Sequence, residues 1–585
     1  MSRRSIACLA LGGVALVLAL LPWTVSSDRV RSAVARQIHN EFGLKLGIDG
    51  PATFSLLPIP RLKLQRVTLA DETGAFTAEA AQFKGELRLL SLLAARIRFS
   101  EVRIADARIR VAIEGADTDS RAGHFRRMRE RLARLEGGPS PVDRVVVTGS
   151  QLTVTGPGRA RVTDWSRLNL VATWSGPDGD VDVAASAVWQ GEEVSAWLSG
   201  IAARSLIEGG PDNVEIRTAS RHGRLNLVGS LTLGDVPVFR GLVAGQTPSV
   251  GALARWTGWG LDLQAVDRPA TLSGQAVLSA DIIEWPQAVL EIGQDRLDGS
   301  LALRLDSDRP KLRATLAGGD LDLGWVLPVA DPTRAVMPGA DYDVRLSASG
   351  VRMGALQFGD LAAGVLVSSD RLDVSIARAT LAGGSVRGRL SAALDGEGRD
   401  IRGQVSVDKV DLESLLSTAS TGRGITGTVA GQATFEALGD SQPDLARHLR
   451  GRVALVARDG EISGIALNEA ARRPEFRRGT PSPVAWRGGR TRFGEAHLQL
   501  TLGDGIAEIT SGSIQTPATQ TRLRGRISLA DGHLAIETST RGTGEDAGSG
   551  PQRPALVLDV RGPIEKPVLN ARAPDETTGT THGSP

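Results

Sequence analysis

Hydrophobic and polar positions follow three rhythms along the chain. From Ser5 to Ser27 the run SIACLALGGVALVLALLPWTVSS carries no charge, and it is bracketed by Arg3 and Arg4 before and by Asp28 and Arg29 after. A bilayer core needs ~20 mainly apolar residues at ~1.5 Å rise each, so this length predicts a membrane-spanning helix over 5–27, with Trp23 at the interface. The arginines place residues 1–4 as a cytoplasmic tip. A cleaved signal peptide is the alternative, with Thr24-x-Ser26 as its weak small-x-small site. Next, Val30, Val34, Ile38 and Phe42 recur at i, i+4 and Gly43 follows, which predicts a short amphipathic helix beside the membrane. From Lys45 the period becomes two: Leu62 and Leu64, Ile97 and Phe99, Val102 and Ile104, then Ile109, Val111 and Ile113. The alternation slips between Phe99 and Val102, predicting a bulge near Ser100 and Glu101.

Residues 121–136, RAGHFRRMRERLARLE, interrupt the strands with an arginine-rich amphipathic helix, suited either to packing on the sheet or to lying on anionic headgroups. From Val145 strand follows strand, punctuated by Gly-rich and Asp-Gly turns. Segment 313–328 is echoed by 402–416, each a strand leading into a helix-like piece, and 379–396 is echoed by 509–532, so repeated units are expected. The boundaries are a β region over 28–115, the basic helical insertion over 116–140 and repetitive strands over 141–400. A C-terminal β region over 401–540, a linker with terminal strands over 541–570 and a disordered tail over 571–585 complete the chain. The expected fold is therefore mainly β: a transmembrane helix, then an elongated, curved antiparallel sheet built from repeated units, with a few short helices.

Composition narrows the function. Gly 69 against Tyr 1, with aromatics at 4%, leaves few bulky residues for thick cores. A net charge of +2 gives no basic field for nucleic acid. Cys8, the one cysteine, lies in the membrane segment, so the exported part has no disulfide.

The search for chemistry returns little. Gly422, Gly424 and Gly427 spell GxGxxG, but the sequence that follows is strand-like where a dinucleotide site needs a helix. Asp178, Asp180 and Asp182 open like a calcium loop, yet Val183 stands where the glycine belongs and Trp189 where the bidentate acid belongs. The histidines show no zinc spacing, and no nucleophile elbow is present. Arg472, Arg473, Arg477, Arg478, Arg487, Arg490 and Arg492 form a basic stretch, either a solvated face or a contact with anionic lipid. No catalytic residue, metal or cofactor is expected.

One-sided strands must hide an apolar face under helices, under a second sheet, or against a non-aqueous ligand. Beside a membrane the third solution has a physical motive. An acyl chain of ~16 carbons exposed to water costs on the order of 12 kcal/mol at ~0.8 kcal/mol per methylene. Roughly 25–30 strands at ~4.8 Å would form a ribbon of ~120–145 Å if all joined one sheet.

The chain resembles the AsmA family of Gram-negative cell envelopes. The N-terminal resemblance lies in FGLKLGIDGPATFSLLPIPRLKLQRVTLAD (42–71) and LRLLSLLAARIRFSEVRIADARIRV (87–111). The C-terminal one lies in VDLESLL (410–416), RGRVALVARDGEISGIALNEAARR (450–473), GIAEITSGSI (505–514), LRGRISLADG (523–532) and RGPIEKPVLN (561–570). The resemblance implies a single-pass inner-membrane protein, its N-terminus cytoplasmic and its bulk periplasmic, with a β-groove that moves phospholipid towards the outer membrane and supports outer-membrane biogenesis. It carries over no catalytic residue, and the chain is short beside the longest family members. Ile97, Phe99, Val102, Ile104, Ile109, Val111 and Ile113 are the groove candidates. The expected partners are phospholipid, the inner membrane and proteins of either membrane, without nucleic acid. The alternative is a non-catalytic scaffold or assembly factor for outer-membrane proteins whose strands close into dry sandwiches.

Overall fold

The computed structural model describes residues 44–55, 59–71, 74–88, 99–112, 142–155, 163–174, 179–202, 210–233, 236–258, 267–305, 309–324, 340–393, 399–418, 424–439, 441–468, 487–529, 531–543, 556–564 and 567–572, with isolated positions 32, 35, 36, 39 and 205. The expected membrane anchor over 5–27, most of the helix expected after it, the expected basic insertion over 116–140 and the expected tail over 571–585, save its first two residues, lie outside the described residues. Among the described residues no helix is long and apolar enough to cross a membrane.

The chain divides into two compact units, Met1–Gly293 with Ser300–Pro310, and Gln294–Gly299 with Lys311–Pro585. The first begins with β1 (Lys45–Ile48), β2 (Ala52–Ser55), β3 (Arg61–Ala70), β4 (Phe76–Leu87) and β5 (Phe99–Ala112). It continues through β6 (Val142–Thr155), β7 (Thr163–Trp174), β8 (Asp180–Trp189), β9 (Glu192–Ala202) and β10 (Pro211–Ser220). β11 (Gly223–Leu233), β12 (Pro237–Thr247), helix α1 (Val250–Thr257), β13 (Ala270–Leu278) and β14 (Ile282–Ile292) complete it, and β15 (Asp295–Arg304) has residues in both units. β1 and β2 both pair with β3, and from β3 to β14 each strand pairs with the next, forming one sheet.

The second unit runs from β16 (Lys311–Asp322) through β17 (Asp341–Met353), β18 (Leu356–Val367), β19 (Arg371–Leu381), β20 (Gly384–Ala393) and β21 (Arg399–Asp411). After helix α2 (Leu412–Thr418) come β22 (Ile425–Gly439), helix α3 (Gln442–Arg447), β23 (Arg450–Ile465) and β24 (Arg487–Gly503). β25 (Ile506–Gln515), β26 (Thr519–Ser528), β27 (His533–Gly542), β28 (Leu556–Pro563) and β29 (Val568–Arg572) end the unit. These strands also pair in sequence order into one sheet.

Two junctions depart from the antiparallel expectation: β5 runs parallel to β6, and β16 parallel to β17. Parallel neighbours need a crossover of a dozen or more residues, and the stretches 113–141 and 323–340 occupy those places. The echoes in the sequence fall on matching structure where it is described. Segments 379–396 and 509–532 each pass from within one strand through a turn along the whole of the next, β19 to β20 and β25 to β26, and 402–416 leads from β21 into α2.

The expected slip near Ser100 is present as a register shift between the partners Glu86–Glu101 and Leu87–Phe99. A second irregularity runs across several strands. Arg66 (φ 50), Asp106 (φ 53), Gly149 (φ 60) and Arg167 (φ 51) occupy the left-handed region inside strands. Register places Arg66 and Asp106 beside the same β4 residue, Ala81, between partners that otherwise match in sequence. At this crease inward-facing positions change parity together: Leu62 and Leu64 give way to Val67 in β3, and Ile104 to Ala107 in β5. Side chains satisfy backbone groups there, with the Ser150 hydroxyl accepting from Ala107 N at 3.0 Å and Asn169 Oδ1 from Gly149 N at 3.1 Å. Asp360 (φ 46), Lys409 (φ 54) and Asp459 (φ 50) repeat the device in the second unit.

Candidate functional site: the apolar inner face

Residues directly opposite in a ladder share a face, so following partners from strand to strand traces a rung across the sheet. In the second unit one rung reads Leu316, Leu346, Ala363, Ile376, Gly388, Val405, Ala433, Val453, Leu500, Ile509, Gly525, Ile536, Val560 and Leu569. It takes one residue from every strand from β16 to β29 and contains no polar side chain. At ~4.8 Å per strand it is about 60 Å long. The adjacent rung, on the opposite face, reads Arg345, Gly364, Ser375, Arg389, Gln404, Thr434, Arg452, Thr501, Glu508, Arg526, Ala535 and Arg561. One face is therefore an apolar floor and the other is built for water.

The first unit has the same design. Leu64, Phe83, Ile104, Val147, Leu170, Ala185, Ala196, Thr218, Leu225, Gly245, Leu272 and Leu290 form its rung from β3 to β14, with Thr218 the one polar member. Both outer faces also carry exposed apolar side chains: Trp197, Val228 and Leu242 stand at 47%, 44% and 45% exposure in the first unit, and Leu366 and Leu438 at 51% and 56% in the second. Beside Trp197, Arg217 hydrogen-bonds to Glu215 and holds that carboxyl below the ordinary carboxylate range.

Of the groove candidates, Phe99, Val102, Ile104, Ile109 and Val111 share the inner face, while Ile97 and Ile113 lie outside the described residues. Phe99 packs into a cluster with Leu62, Leu64, Val67 and Leu87, its ring edge-on to Phe83 at 6.1 Å. At that end the inner face is largely filled by its own side chains.

Elsewhere short elements cover the borders of the floor and leave its middle open. In the second unit Leu412 and Leu415, at the start of α2, pack on Val386, Val410 and Val429. Leu445 of α3 packs on Val367, Leu372, Ala392 and Ile401. On β21, Ile401 is thus 6% exposed and Val410 1%, while Val405 between them is 37% exposed. Leu225 of the first unit's rung is 39% exposed. The floor is kept shallow by glycines under aromatic rings: a Cβ on Gly403 would lie 2.2 Å from Cζ of Phe435, its direct partner, and one on Gly460 2.3 Å from Cζ of Phe493.

Towards the last strands a strap crosses the inner face. Leu467 is buried on Leu556 and Leu558. The Thr491 hydroxyl accepts from Leu467 N at 2.9 Å, and Asn468 Oδ1 accepts from the hydroxyls of Thr516 at 2.6 Å and Thr519 at 3.3 Å. Thr491 and Thr519 are fully buried, which is tolerable because these bonds satisfy them.

An AsmA-family model matches residues 1–118 and 324–512, which is more than half of the chain. The protein belongs to the AsmA family. No curated protein and no solved structure matches it.

Other motifs take ordinary places in the AsmA-family sheet. Gly427 lies in β22, the strand expected after the glycine-rich loop, and Gly422 is outside the described residues. Asp180 and Asp182 sit on β8, with Asp178 outside. From the basic stretch, Arg490 and Arg492 pair with Glu461 at 3.3 and 3.2 Å, and residues 472, 473, 477 and 478 are not described. Among the described residues no group of three acids, histidines or cysteines could hold a metal ion.

Proposed function

We propose that the inner faces bind phospholipid acyl chains, and that the protein, anchored in the inner membrane with its strands in the periplasm, carries phospholipid towards the outer membrane in support of outer-membrane biogenesis. The observation that carries this reading is the uninterrupted apolar rung from Leu316 to Leu569, partly open to solvent at Val405. Family membership supports the envelope setting. A rung with no polar side chain offers a sliding chain no preferred stop, and each methylene it shelters is worth ~0.8 kcal/mol. No residue is assigned a catalytic role.

The scaffold alternative needs the strands to close into dry sandwiches. Such closure would bury the middle of β21 at least as deeply as its ends, the reverse of the gradient from Ile401 through Val405 to Val410. A photo-crosslinking residue at Val405 or Val453 is expected to capture phospholipid in cells, and one at Gln404 or Arg452 is not. Equal capture from both faces, or none from either in an active protein, would overturn the reading.

A further inference from the structure

One rim of the first unit's inner face changes character. Trp165 of β7 and Trp189 of β8 are direct partners, their rings stacked at 5.5 Å and 17°. Across the Gln190–Gly191 turn, Glu192 stands opposite Trp189 on the same face. Arg221 and His222 form the turn between β10 and β11. Helix α1, capped by the Ser249 hydroxyl on Ala252 N at 3.0 Å, places Trp256 against both turns, 4.7 Å from Trp189 and 5.0 Å from His222. Glu192 Oε1 accepts from the Arg221 guanidinium at 3.0 Å and lies 3.8 Å from His222 Nε2.

Three properties of this rim point to a ligand. First, the ion pair is reachable: the Arg221 side chain is 75% exposed and that of Glu192 28%. Second, an exposed pair of this kind adds only ~0–1 kcal/mol to stability, so both charges can exchange partners at little cost. Third, the rim adjoins the apolar rung, since β9 leads from Glu192 to Ala196, and β11 starts two residues after Arg221 and carries Leu225. Acyl chains on that rung would leave the headgroup at these turns. Guanidinium suits a phosphate, a carboxylate suits an ammonium, and indoles suit the boundary between apolar and wet surroundings.

We infer that Glu192, Arg221 and the Trp165–Trp189–Trp256 ladder form a headgroup site selecting zwitterionic phospholipids that carry a primary ammonium over anionic ones. Arg221 takes the phosphate, Glu192 takes the ammonium, and a headgroup with no cation leaves Glu192 facing net negative charge. The inference rests on the lipid-groove reading. The competing role for these residues is structural, the ladder serving only to pin α1.

The test loads the full-length protein in detergent from vesicles of equal phosphatidylethanolamine and phosphatidylglycerol, then extracts and quantifies bound lipid by mass spectrometry. Wild type is expected to enrich phosphatidylethanolamine about tenfold, the discrimination that ~1.4 kcal/mol provides. Glu192→Gln should return the ratio to that of the vesicles, Glu192→Lys should invert it, and Arg221→Gln should lower the total bound, all with unchanged thermal unfolding. Lipid bound in vesicle proportions by wild type and variants alike overturns the headgroup site and leaves the groove standing. Absence of lipid from the wild-type protein overturns the groove and the headgroup site together.

Discussion

Val405 and Val410 lie on the same face of β21, because Lys409 (φ 54) shifts the parity between them, yet their surroundings differ. Val410 is 1% exposed among Val386, Val429, Leu412 and Leu415, and Val405 is 37% exposed. Aspartate at 410 forfeits about 2 kcal/mol of buried apolar surface and adds a few kcal/mol for a carboxylate without a partner. That loss of about 4–6 kcal/mol is comparable to the whole stability of many domains. Aspartate at 405 forfeits about 1 kcal/mol, and its carboxylate keeps contact with water. In the groove reading it still obstructs cargo: holding about three methylenes off the floor costs ~2.4 kcal/mol, or about 50-fold in occupancy. Guanidinium unfolding of the detergent-solubilised chain, followed by far-UV circular dichroism, measures the first effect, and phosphorus assay of extracted lipid measures the second. Val410→Asp should shift the unfolding midpoint strongly or prevent folding. Val405→Asp should leave the midpoint nearly in place while lipid content falls. Equal destabilisation by the two would show that β21 is covered along its whole length, and undiminished lipid in Val405→Asp would show that the floor does not carry it.

Three further outcomes are expected. Gly403→Ala forces a Cβ against the Phe435 ring, so thermal unfolding should report a loss of about 1–3 kcal/mol, and an unchanged midpoint would mean that the ring does not lie on the sheet. Asn468→Ala removes the acceptor shared by Thr516 and Thr519; a loss of about 1–2 kcal/mol should come with faster amide exchange at 465–468, and unchanged exchange there would argue against the strap. A phosphatase active only outside the cytoplasm should be active when fused after Gly115, with Met1 to Leu21 retained in the mature chain, whereas release of a shortened soluble form would refute the anchor.

Much of the sheet was legible because a strand's period of two survives in sequence wherever apolar residues alternate with Arg, Lys, Gln or Glu, as in RLKLQ and RIRVA. The slip at Ser100 showed because Phe99 and Val102 bracket it. The crease did not show, since Arg66, Asp106 and Arg167 are polar residues of the type that faces water anyway, and the enrichment of Asp in the left-handed region does not single out one Asp among the many on the chain. The parity change from Ile104 to Ala107 was its available signal. Parallel pairing at β5–β6 and β16–β17 depends on where a connection returns the chain, which local pattern does not encode. The groove candidates were drawn from the N-terminal strands, where alternation is cleanest, but Phe99 there belongs to a filled cluster. That Val405 and Leu225 lie open on the floor required knowing which elements cover their neighbours. Asn468 and the tryptophan ladder join residues distant in sequence, and neither had a local signature.

The crease also constrains how a chain of this design can change length. Deleting one residue from a plain strand turns every side chain beyond the deletion to the opposite face. Deleting Asp106 alone would restore simple alternation to β5 and leave Ile109 and Val111 facing inward, but β5 would then be one residue short beside β4 and β6, which keep their extra residue at this row, and its pairing beyond the crease would slip. Gain or loss of a whole hairpin disturbs neither half, because the inserted strands can bring their own phase shift at the same row. Viable length variants should therefore differ by pairs of strands, about 9.6 Å of track at a time, and single-residue insertions and deletions should be confined to the turns.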